Sequence, residues 1–437
     1  MNIVDRAQQF VHRLQSLARP SRWHGKTCPH CGSTVTVRNG TYARHPQTLR
    51  GRVTLRIQRH LCRDCGRSYA EQPPHLVPHS WYGRGVHRLG IDFWCHGRMS
   101  LRRAAEFLRS LISHQERWRL WQPWCEPSAE PGCRLHASTL HRWLDRAGQQ
   151  AEATGSNQWA GVASSGLLGT DGTWARLRGG TTRVVLVLVD RVSGLCWPPV
   201  VAEGEQARAP WDRLLDRARQ AGLDLWALRG IVSDGAWGLK TCLYWRLRRV
   251  RHQRCVFHLW RSLRAPLRDA VAPYCPRGAD KASRAMREHL WRQIHHWQRA
   301  FFDEPYAAAA RGADAQRVAD HVLGEMAESA LGQRVAEVLQ RYRENVLVSC
   351  RPELVGLGRV GPEWLWRDWR QRLSRGHNHG SEARLRRAAW VWTIYRNFTP
   401  RQARQESKRA YAHAGQAPLE VAGMELEGIS YLDALGV

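Results

Sequence analysis

Three acids stand in settings that suit divalent-metal chemistry. Asp171 lies in the run LLGTDGTW, Asp234 in IVSDGAW and Glu382 in HNHGSEARLRR. Hydrolysis or transfer of a phosphodiester needs hard cations held by carboxylate oxygens. Two such ions about 3.5 to 4 Å apart stabilise the attacking and the leaving oxygen together. A second set of ligands is independent of these acids. Cys28 and Cys31, then Cys62 and Cys65, form two Cys-x-x-Cys knuckles, each followed by glycine, and four thiolates so spaced suit one tetrahedral Zn²⁺.

The elements that must position these groups follow from hydrophobic period. Apolar runs at Leu167–Asp171, Val184–Val189 and Leu195–Val201 are separated by turn signals and read as three consecutive strands. Trp211, Leu214, Leu215 and Ala218 form a helical stripe, and a strand then ends near Asp234. A helix through Leu239, Leu243 and Leu247 precedes a short strand at Gln253–Phe257. Both aspartates thus end apolar strands, where open α/β sheets place ligands. This order predicts an RNase H-like mixed sheet, with the first and fourth strands adjacent so that Asp171 and Asp234 meet.

Asp-Gly is also the commonest plain turn signal, and taken alone either aspartate is more simply a turn residue. The pairing favours chemistry. Glu382 is expected on the apolar face of a helix starting near Asn378 and running through Leu385, Ala389, Trp392 and Tyr395, with Arg384, Arg386 and Arg387 fanning toward solvent or DNA. Asp190 ranks behind Asp171 because Asp190–Gly194 reads as a hairpin loop. Glu363 and Asp368 are alternatives to Glu382, in a tryptophan-rich context that suggests helix packing.

The remaining chain divides by composition. Residues 1–80 hold a short helix and the ribbon, where Val35, Val37, Val53, Leu55 and Ile57 alternate as in a long hairpin. Residues 81–155 are helical. Residues 160–258 form the first part of the α/β core, 259–360 an all-α insertion, 361–400 the final core helix with the third acid, and 401–437 a tail. Ser100–Leu111 and Ala137–Ala147 resemble the helices of a helix-turn-helix, with Ser138, Thr139, His141 and Arg142 placed to meet DNA. Two amphipathic helices packing on each other would explain them equally well. Arginines on the ribbon hairpin would either touch DNA or simply solvate it.

Charge narrows the partner. The 437 residues carry 67 Lys and Arg against 38 Asp and Glu, a net +29, which draws polyanions. Only four of the cations are lysines, and arginine suits bidentate phosphate and guanine contacts, although a GC-rich genome gives the same bias. No signal-peptide core or membrane-length apolar run is present, so a cytoplasmic, nucleoid-associated protein with no membrane partner is expected. Several of the 22 tryptophans, Trp245, Trp260, Trp291 and Trp297 among them, would suit base stacking but are more simply core or interface.

Taken together, the Gly-Thr-Asp171-Gly, Val-Ser-Asp234-Gly-Ala and Arg-Cys255-Val-Phe-His258-Leu-Trp-Arg segments and the stretch from Asn378 to Arg387 with Glu382 resemble bacterial insertion-sequence DDE transposases of the Mutator-like, RNase H-like type. The resemblance is strong over residues 160–400 and looser before them. It implies Mg²⁺-dependent DNA cleavage and strand transfer by Asp171, Asp234 and Glu382 with two Mg²⁺, Mn²⁺ being a substitute. It also implies active-site support from Cys255, His258 and Asn378, DNA contacts from Arg384 and Arg387, a structural Zn²⁺, and a homodimer or higher assembly on double-stranded element ends and target. Histidines 377 and 379 stand where such families have small polar residues. By themselves Cys255 and His258 would read as a core thiol and a capping imidazole. Two rival expectations are a domesticated, non-enzymatic DNA-binding regulator and an RNase H-like structure-specific nuclease.

Overall fold

The computed structural model describes residues 27–120, 134–154, 159–278, 280–376, 379–400 and 413–437. The expected helix within residues 1–17, most of the 123–134 loop, and Asn378 lie outside them. The chain forms two compact units: residues 1–147 with 374–377 and 436–437, and residues 148–373 with 378–435.

In the first unit β1 (Thr36–Arg44) pairs antiparallel with β4 (Leu55–Cys62), which pairs with β5 (Ser68–Ala70). The long hairpin expected from the alternating valines is therefore present. A two-stranded turn, β2 (Gln47–Thr48) against β3 (Gly51–Arg52), sits at its tip. The strands bury little, with Ile57 inside and Val35 exposed, so the hairpin has almost no hydrophobic core of its own.

Three helices follow: α1 (Arg84–Cys95), α2 (Leu101–Leu120) and α3 (Ala137–Thr154). Their apolar stripes meet in one core built from Val86, Leu89, Phe93, Ala105, Leu108, Leu140 and Trp143, with Leu49 of the ribbon packed against it. His87 stacks on Trp143 at 3.7 Å between ring centres and meets Ser80 Oγ at 2.8 Å. Burial, aided by Arg146 and Arg84, lowers its pKa to about 3, so the ring is a neutral core group.

The second unit is a mixed α/β structure. Its sheet comprises β6 (Leu167–Arg176), β7 (Thr182–Asp190), β8 (Val200–Ala202), β9 (Gly230–Ser233) and β10 (Arg251–Arg254), in the order β10-β9-β6-β7-β8. β6, β7 and β8 form an antiparallel meander, whereas β9 lies parallel to both β6 and β10. The expected neighbours, first and fourth strand, are thus paired. The third strand is shorter than its apolar run suggested: only Val200–Ala202 pairs, with an isolated bridge from Val189 to Cys196. The fifth ends at Arg254, and Phe257 already belongs to a helix.

Val184 to Val189 are buried on both faces of β7, which requires cover on each side. Helices α4 (Arg208–Gln220) and α13 (Glu382–Phe398) both pack on β7 and β8. α13 buries Leu385, Ala389, Trp390, Trp392 and Ile394, where large apolar side chains contribute about 1.5–3 kcal/mol each. Asn397 fixes its far end by accepting from Cys196 N and donating to Cys196 O, both at 2.8 Å.

Between the strands and α13 the chain is helical among the described residues. After α5 (Trp237–Arg246) come α6 (Val256–Ser262), α7 (Arg264–Val271), α8 (Lys281–Ala310), α9 (Ala315–Met326), α10 (Ala330–Gln340), α11 (Arg343–Val346) and α12 (Glu363–Gly376). A core of Leu259, Leu267, Ile294, Phe301, Phe302, Val335 and Leu339 holds the insertion together. Trp260, Trp291 and Trp297 pack against that core, as expected of tryptophans at helical spacing.

Candidate active site and cysteine cluster

The site forms where β9 parts from β6. The same register offset that pairs Leu167 with Gly230 and Gly169 with Val232 carries Asp171 to the level of Asp234. Alternation along β6 puts Leu167, Gly169 and Asp171 on one face. Asp171 lies within its strand, opposite Val187, and not at the strand's carboxyl end as its apolar run suggested. It is nonetheless the first residue of that face beyond the last β9 pair.

Gly235 has φ +81°, and a Cβ there would stand 2.5 Å from the Arg254 guanidinium, so the turn after Asp234 needs glycine. Asp234 Oδ1 accepts from Ala236 N at 3.0 Å, which fixes the carboxylate over the mouth of α5. Asp171 Oδ1 accepts from Gly172 N at 2.9 Å.

Glu363, at the first position of α12, is the acid brought to Asp171. Glu363 and Asp234 both stand close enough to Asp171 to act on its carboxyl electrostatically. Asp171 is only 5% exposed. Burial, reinforced by the charges of Glu363 and Asp234, pushes it up to about 9. Such a group gains strongly from a cation that replaces its proton.

Four contacts set Glu363 there. Pro362 Cδ lies 3.3 Å from where a Gly169 Cβ would be, so the absent side chain lets the Gly361-Pro362 turn settle on β6. Gly361 N donates to Cys255 Sγ at 3.2 Å, and Val256 N donates to Arg359 O at 2.9 Å. His258 Nδ1 is 3.0 Å from Glu363 Oε1. Cys255, buried with its thiol pushed up by that burial, follows β10 directly, and its N–H donates to Ser233 O at 2.7 Å. The Cys255-x-x-His258 pair therefore joins the strand next to Asp234 to the turn carrying Glu363. Ligand atoms of Cys255, His258 and Glu363 lie within 4.8 Å of one another.

Glu382 is elsewhere. Ser381 caps α13 and puts Glu382 at its first position, where Oε2 accepts from Arg183 Nε at 2.7 Å and the side chain is 41% exposed. Arg183 also meets Glu203 at 3.2 Å. It stands opposite Ala175, four residues along the sheet from the Asp171 pair, or about 13 Å at strand rise. The apolar face of α13 was read correctly, but it starts at Leu385, and the first-turn glutamate turns to the arginine at the sheet's edge.

The other acids separate clearly. Asp190 is fully buried and accepts from Ser164, Ser165, Val192 and Ser193, which makes it a loop anchor. Asp368 accepts from Trp392 Nε1 at 3.1 Å. Glu205, which no motif or spacing singles out, lies against Gly172, and burial together with Asp234 raises its pKa.

Ser138 and Arg142 are exposed on α3, Thr139 and His141 half-buried, and Arg142 donates to Thr139 at 3.3 Å. Arg384 is exposed, whereas the Arg387 backbone packs tightly on Gly148.

The cysteine group of the first unit is complete. Cys28 and Cys65 sulfurs are 3.7 Å apart, and those of Cys31 and Cys62 3.6 Å. Tetrahedral zinc with bonds of about 2.3 Å separates its sulfurs by about 3.8 Å. Backbone N–H groups of Cys65 and Asp64 favour the Cys62 thiolate and bring that thiol down to about 7. All four can hold one structural zinc.

No helix among the described residues is long and apolar enough to cross a membrane. In comparisons with known proteins, no protein-family model and no curated protein matches the chain.

Proposed function

We propose that the protein is a metal-dependent phosphoryl-transfer enzyme acting on DNA, a transposase of the DDE type with an RNase H-like core, in which Asp171, Asp234 and Glu363 hold the catalytic cations. One observation carries the reading: Asp171 and Asp234 stand level at the fork between β6 and β9, and Asp171 is pushed up to about 9 by burial and by the charges of Glu363 and Asp234. Glu382, by contrast, is paired with Arg183.

Mg²⁺ bound by these carboxylates would supply an activated water or 3′-hydroxyl and stabilise the departing oxygen. The chain's own part is to hold the carboxylates in place. Asp171 is fixed by its strand, Asp234 by its turn, and Glu363 by His258 and the Gly361 to Cys255 bond. Lys240 and Arg254, both within electrostatic range of one another beside Asp234, add positive charge for a phosphodiester backbone. The net +29 of the chain agrees with a DNA partner. Ser138 and Arg142 on α3 are candidates for contact with double-stranded element ends, and joining two ends favours a homodimer or higher assembly.

The test is Mg²⁺-dependent nicking of plasmid carrying the DNA that flanks the gene. Glu363→Gln should reduce nicking at least a hundredfold while Glu382→Gln stays within a few-fold of the parent. Nicking lost only in Glu382→Gln would return the third role to that residue. No metal-dependent nicking by the parent chain would leave a DNA-binding regulator as the reading.

A further inference from the structure

An aromatic and arginine surface extends away from the acid cluster along α5. Large apolar side chains are normally hidden, yet Trp237 is 71% exposed, Tyr244 61%, Trp245 58% and the nearby loop residue Trp226 86%. Trp237 and Tyr244 are seven residues apart and so share one helical face, with Arg248 continuing it beyond the helix end. Along the axis, Trp237 and Tyr244 are about 10 Å apart. That is roughly three nucleotide steps at about 3.4 Å each. The stripe starts three residues after Asp234.

Arginines are interleaved with the rings. Arg248 lies 4.9 Å from the Tyr244 ring centre and 6.0 Å from that of Trp245, and Arg249 lies 5.8 Å from that of Trp226. Neither Arg248 nor Arg249 meets a carboxylate among the described residues. Arg246, by contrast, turns to the other side of the helix and pairs with Asp212 and Asp216, at 3.5 and 2.7 Å. The helix thus sorts its arginines: one is neutralised to hold α5 on α4, and those beyond the helix end lie beside exposed rings with their charge uncompensated.

We infer that Trp237, Tyr244, Trp245 and Trp226, with Arg248 and Arg249, form a platform for single-stranded DNA, on which unpaired bases of the strand leaving the acid cluster stack while the guanidinium groups meet its phosphates. The inference rests on the DNA-cleaving reading for the identity of that strand. The platform itself rests on different residues. Protein interfaces also use Trp, Tyr and Arg; what favours a nucleic-acid strand here is the uncompensated charge of Arg248 and Arg249 and a stripe that starts three residues from Asp234. Stacking is tolerant of sequence because every base has a π-face, and the cations add backbone affinity.

The test uses the full-length protein with fluorescent (dT)20 and a 20-base-pair duplex, with no Mg²⁺ added and at constant salt. The double variant Tyr244→Ala/Trp245→Ala should bind (dT)20 at least tenfold more weakly while duplex affinity changes less than threefold. Tyr244→Phe/Trp245→Phe, which keeps the rings, should retain (dT)20 binding, and this arm separates lost stacking from a damaged fold. Unchanged (dT)20 affinity in the alanine variant, as for a protein-docking patch, overturns the inference; so does equal loss on both probes, or a parent chain that does not bind (dT)20. Because binding is read without added Mg²⁺, a working platform beside failed nicking, or the reverse, tells which of the two readings is wrong.

Discussion

The cysteine cluster and the acid cluster are assembled in opposite ways. Each cysteine knuckle supplies two ligands three residues apart, and one antiparallel strand pair, β1 with β4, brings the knuckles together. The acid site takes one group from β6, one from the end of β9 and one from the start of α12, with some 190 residues between the first and the last. The cysteine site is closed by four sulfurs and surrounded by a hairpin with hardly any apolar core, so its ion would contribute folding energy. The acid cluster sits at the fork between two inner strands of a well-packed sheet, with His258 beside Glu363 and Lys240 near Asp234. A ligand set made locally acts as a staple, and one made by convergence is suited to chemistry.

This contrast breaks most readily at the zinc. Structural zinc is worth about 10–16 kcal/mol in small domains, so Cys28→Ser or a strong chelator should unfold the ribbon. Limited proteolysis should then cut within residues 36–62, and elemental analysis should fall from one zinc per chain to none, with the second unit still resistant. A ribbon that survives metal loss would mean that its strands hold without the staple.

Asp171→Asn and Asp234→Asn should abolish Mg²⁺-dependent nicking to background while leaving DNA affinity within a few-fold, measured by gel shift. Normal nicking by either variant would refute the acid site. A smaller effect sharpens the role of the Cys-x-x-His pair. Supporting residues of a metal site typically matter 10- to 100-fold, so His258→Ala should raise the Mg²⁺ concentration needed for half-maximal nicking by about that factor. His258→Gln should recover part of it. A loss of rate with unchanged Mg²⁺ dependence would make His258 a group acting on DNA instead.

The smallest effect is on stability. Asp171 has a folded pKa of about 9, above the ordinary carboxyl value, so the folded state holds a proton that the unfolded chain has released. Its contribution is full below about pH 4 and is lost as pH rises toward 9. Metal-free protein should therefore melt at progressively lower temperature across that window. Asp171→Asn should flatten this slope and raise the melting temperature at pH 8 by roughly 2–4 °C. Added Mg²⁺ should do the same for the parent chain, since the cation replaces the proton. A parent chain whose melting temperature does not fall between pH 4 and 9 would mean that Asp171 is ionised without metal.

Much of the frame was readable beforehand because it depends on local pattern. Apolar runs and turn residues predicted β6, β7 and β9, the helix containing Trp211 and Leu214, and the adjacency of first and fourth strands. Boundaries were less readable. β6 runs five residues past Asp171 because its pairing with β7 continues after β9 has ended, and Phe257 leaves its expected strand because Cys255 caps the start of α6. The surroundings of Glu382 were not legible for a specific reason. A glutamate three residues before the apolar face of a helix looks inward on a helical wheel, but at the first position of α13 it swings to Arg183, whose place on β7 no spacing around Glu382 discloses. Trp366 and Trp369 do pack, as their spacing suggested; what could not be seen was that the Gly361-Pro362 turn just ahead of them rests on Gly169.

Sequence alone determined the four-cysteine cluster, the positive charge and the bringing of Asp171 level with Asp234, because each depends on short spacings, composition or strand order. Only the tertiary structure chose where each acid stands: Glu382 at Arg183, Glu363 beside His258 and within electrostatic range of Asp171. That choice is made by contacts about a hundred residues or more apart in the chain: a thiol accepting from Gly361, an imidazole beside a carboxylate, and a proline filling the space left by a glycine. Long-range packing of that kind follows from how the whole core closes, and no local period records it.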